Sequence, residues 1–335
     1  MIYIRVDMNM QIATGHVMRC LSIADALSCL GENVIFILAD EQAVSLLKQR
    51  GYDAFVLHTN WKNMESELPV LKQFIKEKQI NKILIDSYQV TENYLKELSK
   101  FVKTVYMDDL NEFNYPVDAV ICYANYWRKF NYKMKETRKH YYLGTRYVPL
   151  RQVFWSCEKK VISEKVEKLL VLTGGSDPYN VSELILNHID MQKYQYIDVI
   201  CGRYNTNYSR LVKRYKEHSK IRLHRAVNNM EDYIRNTDIA ISAGGTTLYE
   251  LCACGIPTIS YSFADNQLNN VKQFEEDGLI DYAGDARVDN IAVNIMWLLE
   301  KYRLDFPLRK SRSERMQEMV DGKGAMRLAE ILKES

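Results

Sequence analysis

The chain reads as an α/β protein built from two doubly wound, Rossmann-like domains that face a central cleft. Short apolar runs alternate with helical patterns along most of its length. The runs are continuously apolar, as in parallel strands covered on both faces. The rhythm occurs twice, on either side of a polar connector near 151–168, in 335 residues, a length that suits two domains of ~150 residues each. The expected boundaries are 1–155 for the first domain and 156–335 for the second.

In the first half, Ile2 to Val6 is a strand and residues 17–30 form an amphipathic helix ending at Gly31. Val34 to Leu38 make the next strand, and a helix through Leu46 and Leu47 stops at Gly51. Lys82 to Asp86, a helix near 91–101, Thr104 to Asp108 and Ala119 to Cys122 complete the series. The second half places strands at 169–173, 196–200, 238–242 and 257–261. Ligands of such sheets lie beyond the carboxyl ends of the strands, so the loops at those ends carry the functional expectation.

Composition excludes several classes. Forty-five basic residues balance 43 acidic ones, a net charge of +2, which leaves no broad footprint for nucleic acid. The opening MIYIRVDMN is a strand, not a signal peptide, and no apolar stretch suffices for membrane insertion. Seven scattered cysteines suit reduced thiols in a cytoplasm. The close pair Cys252-Ala-Cys254 falls in an apparent helix with no second pair at zinc spacing, and reads as core thiols. Asp108-Asp109 lacks a nearby histidine or a third spaced carboxylate, so no metal and no cofactor are expected.

Two glycine loops stand out. After one buried strand comes Gly244-Gly245-Thr246-Thr247, with Glu250 one turn into a helix. The backbone N–H groups and dipole of a helix start attract anions, and a carboxylate at Glu250 suits a pair of sugar hydroxyls. The same residues also fit an ordinary strand–helix turn capped by Thr246. Gly174-Gly175-Ser176 ends another strand and could face the same ligand. Neither loop has the Walker pattern or GxGxxG. In the first half, Gly15-His16 stands where the first helix begins. That position disfavours an imidazolium, and a neutral imidazole beside a cleft can take a proton from water; a histidine that merely packs at the helix start fits equally.

The separated motifs Arg5-x-Asp7, Gly15-His16-Val17-Met18-Arg19, Asp86-Ser87-Tyr88, Asp108-Asp109-Leu110, Gly144-Thr145-Arg146, Gly174-Gly175-Ser176-Asp177, Gly244-Gly245-Thr246-Thr247, Asp265-Asn266-Gln267 and Asp321-Gly322-Lys323 span nearly the whole chain. Through them it resembles the nucleotide-sugar hydrolases of nonulosonic acid synthesis, the UDP-2,4-diacetamido-2,4,6-trideoxy-β-L-altropyranose hydrolase family of the pseudaminic acid pathway. It departs from the usual pattern at Val6, Ala13 and Val153. The resemblance implies a GT-B fold related to the UDP-GlcNAc transferase of peptidoglycan assembly, with the last helix returning toward the first domain. It implies metal-independent, inverting attack of water on a UDP-linked deoxy amino sugar, supplying nonulosonic acid or surface polysaccharide synthesis. His16 would be the base, with Asn266 and Tyr88 beside the reacting sugar. Asp7, Gly15, Arg19, Gly174, Gly175, Ser176 and Gln267 would help bind substrate. Gly244, Gly245, Thr246 and Thr247 would hold the diphosphate, Glu250 the ribose, and backbone near Ala226 to Met230 the uracil. An inverting glycosyltransferase using the same donor, and a nucleotide-sugar-binding module without catalysis, are the competing readings.

Overall fold

Continuous apolar runs make the inner strands, and in the computed structural model each forms part of one of two parallel sheets. The structure describes residues 1–9, 14–132 and 139–334; Ala13 therefore lies outside the described residues. Two compact units result, Met1–Trp155 with Gly322–Ser335, and Ser156–Asp321.

The first unit has strands β1 (Ile2–Val6), β2 (Val34–Leu38), β3 (Asp53–Val56), β4 (Lys82–Asp86), β5 (Lys103–Met107), β6 (Ala119–Cys122) and β7 (His140–Leu143). Their order is β3-β2-β1-β4-β5-β6-β7. Helices α1 (Gly15–Cys29), α2 (Val44–Gln49), α3 (Leu68–Glu77) and α4 (Glu92–Leu98) connect them. Gly31 and Gly51, at φ 77° and 80°, end α1 and α2 in the left-handed conformation that glycine adopts without strain. Ile83, Ile85, Tyr94 and Leu95 are among the residues of its core.

The second unit has β8 (Lys168–Leu172), β9 (Tyr196–Cys201), β10 (Ile221–Arg225), β11 (Ile239–Ala243), β12 (Thr258–Ser262) and β13 (Asp281–Asp285), in the order β10-β9-β8-β11-β12-β13. Its helices are α5 (Val181–His188), α6 (Tyr208–Tyr215), α7 (Met230–Arg235), α8 (Thr247–Ala253), α9 (Asp265–Glu276), α10 (Ile291–Leu304) and α11 (Phe306–Met319). Val171, Val199, Ile241 and Ile259 centre its core. The last helix, α12 (Gly324–Glu334), belongs to the first unit, where it packs on α1 and buries Ala325, Leu328, Ala329 and Leu332. Close approach fixes its entry: a Cβ on Gly322 would lie 2.0 Å from the Phe154 carbonyl oxygen, and one on Gly324 2.2 Å from that of Val148.

Both sheets reverse their order after the first strand of the unit, so each has a topological switch point, between β1 and β4 and between β8 and β11. Register sets what meets there. Val6 pairs with Asp86, and Ser242 with Leu172, so the loops that follow leave the sheets side by side.

A buried charge cluster braces the first switch point. The Arg5 guanidinium donates to both Glu67 carboxylate oxygens at 2.8 and 2.6 Å and to Asp7 at 2.6 Å, while the Tyr94 hydroxyl donates to Glu67 at 2.7 Å. Burial works against the Arg5 charge, but Glu67 and then Asp7 more than offset it and raise its pKa.

Candidate active site

Asp86 ends β4 fully buried and gathers the first group of side chains. His16, in the first turn of α1, places Nδ1 2.7 Å from Asp86 Oδ1. Arg19, one turn on, donates Nε to Asp86 Oδ2 at 2.6 Å and Nη2 to Oδ1. Helical spacing aims both at one carboxylate, because residues three apart share a helix face. Burial alone would raise the Asp86 carboxyl, but Arg19 and then His16 more than offset it and hold it well below the usual carboxylate range.

An ionised carboxylate only accepts hydrogen bonds, so the His16 proton belongs on Nδ1. Arg19 Nη2 lies 3.3 Å from the same nitrogen, but two donors face each other in this tautomer and make no hydrogen bond. This tautomer leaves the Nε2 lone pair to accept a proton, and Nε2 has no partner among the described residues. The ring is held from the side by Tyr88, edge-on at a centroid distance of 4.5 Å. Tyr88 is 43% exposed, and its hydroxyl donates to Asp109 Oδ2 at 2.8 Å. Arg19 Nη1 donates to the same Asp109 oxygen at 3.1 Å and to the Tyr123 hydroxyl at 2.9 Å.

Neighbouring residues are tied into the fold. Both oxygens of Asp7 are engaged within the fold, one by Arg5 and the other by the Ala39 backbone N–H at 2.8 Å. Asp7 thus ties the ends of β1 and β2 and positions the loop after β1. Gly15 has open space where a Cβ would sit. Asp108, beside Asp109, accepts from the Tyr115 hydroxyl at 2.8 Å, from the Tyr132 hydroxyl and from the backbone N–H of Leu110 and Asn111. It holds its own loop.

In the second unit the candidates collect after three adjacent strands. Gly174, Gly175 and Ser176 follow β8 and are exposed. Gly174 turns with φ 73°, and the next loop presses against it: a Cβ on Gly202 would lie 2.4 Å from the Gly174 carbonyl oxygen and 2.3 Å from that of Gly175. Asp177 then accepts from the N–H groups of Val181 and Ser182 at 2.7 and 3.1 Å and so anchors the start of α5.

Gly244 and Gly245 follow β11. A Cβ on Gly244 would fall 2.2 Å from Val271 Cγ1 and 3.3 Å from Gln267 Cβ, so this loop lies hard against α9. Asn270 secures it from α9, donating to the carbonyls of Gly244 and Gly245 at 3.1 and 3.4 Å while accepting from the Tyr249 hydroxyl at 2.9 Å. Thr246 is exposed at the start of α8, Thr247 is half-buried, and Glu250 lies in the first turn. After β12, Asn266 is exposed on the first turn of α9, and Gln267 Oε1 accepts from the Phe263 N–H at 2.9 Å. The glycine loops, Asn266 and Gln267 therefore share one end of the second sheet, where exposed backbone at two helix starts suits an anion.

The partners Asp86, Asp109, Tyr123, Gly202 and Asn270 are absent from the expected set. Asp86 and Asp109 stand in recognisable motifs, but their pairing spans 70 and 90 residues of chain. The signal was their position after neighbouring strands, Asp86 at the end of β4 beside β1 and Asp109 after β5 beside β4.

Residues 169–318 match the glycosyltransferase family 28 C-terminal domain. An uncharacterized protein of Methanocaldococcus jannaschii is 26% identical over 267 residues, 76% of this chain and 54% of that one, so the chain spans about half of that relative. The spore coat polysaccharide biosynthesis protein SpsG of Bacillus subtilis is 24% identical over 96% of this chain and 94% of its own. A UDP-N-acetylglucosamine--N-acetylmuramyl-(pentapeptide) pyrophosphoryl-undecaprenol N-acetylglucosamine transferase of Helicobacter pylori is 30% identical over 44% of this chain and 43% of its own. Among solved structures, Acinetobacter baumannii MurG superposes with a TM-score of 0.72 at 10% identity, covering 100% of both chains. The chain thus has the GT-B fold, and residues 169–318 of its second unit are similar to the glycosyltransferase family 28 C-terminal domain.

Proposed function

We propose that the chain hydrolyses a UDP-linked deoxy amino sugar, with the second unit holding the nucleotide diphosphate and His16 of the first unit activating water. The Asp86–His16 pair carries this reading, because a buried carboxylate on Nδ1 fixes the tautomer whose Nε2 can act as a base. Water loses a proton to Nε2 as its oxygen bonds to the anomeric carbon. The bond from that carbon to the diphosphate breaks with inversion, and UDP leaves with the electron pair. Asp86 stabilises the imidazolium that forms, and Arg19 fixes the carboxylate in turn.

N–H groups at Thr246 and Thr247, with Gly174 to Ser176, would meet the negative charge growing on the leaving group, while those of Gly244 and Gly245 donate to the Tyr261 and Ala243 carbonyls and shape the loop. Glu250 would hold the ribose, and Asn266 and Tyr88 the sugar. The UDP-sugar donor named for the Helicobacter transferase supports a uridine nucleotide, and SpsG supports a place in surface polysaccharide synthesis. The transferase relatives favour one second reading, an inverting transfer to a sugar acceptor in place of water. Incubation with purified UDP-sugars and no acceptor separates the two. UDP release with an equal amount of free sugar supports hydrolysis. Release only when a saccharide or lipid acceptor is added overturns it.

A further inference from the structure

Away from these groups, the second unit brings two thiols together. Cys254 caps the C-terminus of α8, buried to 4% exposure, and its Sγ lies 3.5 Å from that of Cys157. Cys157 is partly exposed on the segment that opens this unit, which has no regular structure between 157 and 163. Gln317 of α11 fastens both neighbourhoods. Its Nε2 donates to the carbonyls of Glu158 and Ala253 at 2.9 and 3.3 Å, and its Oε1 accepts from the Lys160 N–H at 3.0 Å. The two sulfurs are therefore held as neighbours although 97 residues separate them.

We propose that Cys157 and Cys254 form a dithiol modification site, which a low-molecular-weight disulfide oxidises to an intramolecular bond. Sulfurs bonded at about 2.05 Å need only a small further approach, and the irregular segment on the Cys157 side can supply it. The two thiols are not equivalent. A hydrogen bond from Cys254, together with Arg235, lowers Cys157 to about 7 against the opposing effect of burial. The same hydrogen bond and burial push Cys254 upward.

Cys157 is accordingly the attacking thiolate. It bonds to one sulfur of the oxidant R–S–S–R and expels RS⁻, giving a mixed disulfide. Cys254 then gives up its proton to solvent and attacks Cys157 Sγ, and the second RS⁻ leaves. Two protein thiols are oxidised and one small disulfide is reduced to two thiols. The bond would join the entry segment of the second unit to the far end of the helix that starts at the glycine loop.

The test uses the full chain with Cys29→Ser, since Cys29 is exposed while Cys20, Cys122, Cys201 and Cys252 are buried. Glutathione disulfide is titrated in and followed by intact mass and peptide mapping. The expected result is a Cys157–Cys254 linkage reversed by dithiothreitol. The Cys254→Ser protein should instead retain a glutathione adduct on Cys157. A lasting adduct on Cys157 in the protein with both thiols, or no modification at all, overturns the proposal. Iodoacetamide labelling needs no variant: near pH 7, Cys157 should alkylate about threefold faster than a typical cysteine, the gain in thiolate less the loss in nucleophilicity. Arg235→Gln should shift the midpoint of that pH profile upward, and an unshifted profile would remove Arg235 from the site.

Discussion

At the switch point of the first unit, between β1 and β4, the chain places charged side chains; at that of the second, between β8 and β11, it places glycines. The strand order around the two points is the same. In the first, Arg19 and His16 converge on buried Asp86, and Arg5, Glu67 and Asp7 brace them from behind. In the second, Gly174, Gly175, Gly244 and Gly245 leave main chain exposed or in tight contact, with Asn270 and Asp177 holding the loops from below. One topology thus presents charged side chains at one switch point and glycine backbone at the other. The residues at the strand ends decide which.

The comparison breaks most visibly at His16. His16→Ala should lower kcat by about 10²–10⁴ while UDP binding, measured by calorimetry, changes little. A variant that retains most of its rate would remove the base from the first switch point. Asp86→Asn comes next, with an expected loss of about 3 kcal/mol in denaturant stability, because the partly buried Arg19 loses its two-point partner and keeps only Asp109 as counter-charge. Its pH dependence supplies a sign. The folded Asp86 is held below its unfolded value, so its contribution is complete above the ordinary aspartate pKa of about 4 and fades as pH falls below that toward the folded value. The natural chain should therefore lose stability more steeply than Asp86→Asn on acidification. Parallel curves for the two would deny that the carboxylate is charged in the fold.

In the second unit the sensitive position is Gly244. Its alanine variant must push Val271 aside, which costs about 1–3 kcal/mol, and UDP affinity should weaken by about tenfold, equivalent to 1.4 kcal/mol. Gly244→Ala with Val271→Ala should recover much of both in a double-mutant cycle. Failure to recover affinity would place the loop elsewhere than at the nucleotide. The smallest effect is expected at Asp177→Ala, about 1 kcal/mol from an uncapped α5, read as a lower Tm.

What the amino-acid sequence revealed follows a physical divide. The nine strands readable from continuous apolar runs are the inner members of the two sheets. The four it did not reveal, β3, β7, β10 and β13, are the four edges. Their patterns break the buried run with half-buried or exposed positions, as in the Ile-Arg-Leu-His-Arg of β10 and the Asp-Tyr-Ala-Gly-Asp of β13. An edge strand lacks neighbours on one side, so little selects for an unbroken apolar run. The same divide holds at the candidate site. Glycine loops and a histidine after a strand are local signals, whereas the Asp86–His16 pair and the Asn270 support exist only after parallel pairing brings distant strand ends level.

The return of α12 to the first unit has a consequence for synthesis. The first 155 residues leave the ribosome without the helix that covers α1, while residues 156–321 form one contiguous unit. A nascent chain can therefore finish its second unit before its first. Until translation reaches residues 322–335, the apolar face of α1 awaits Ala325, Leu328 and Leu332, the kind of transient exposure that engages chaperones.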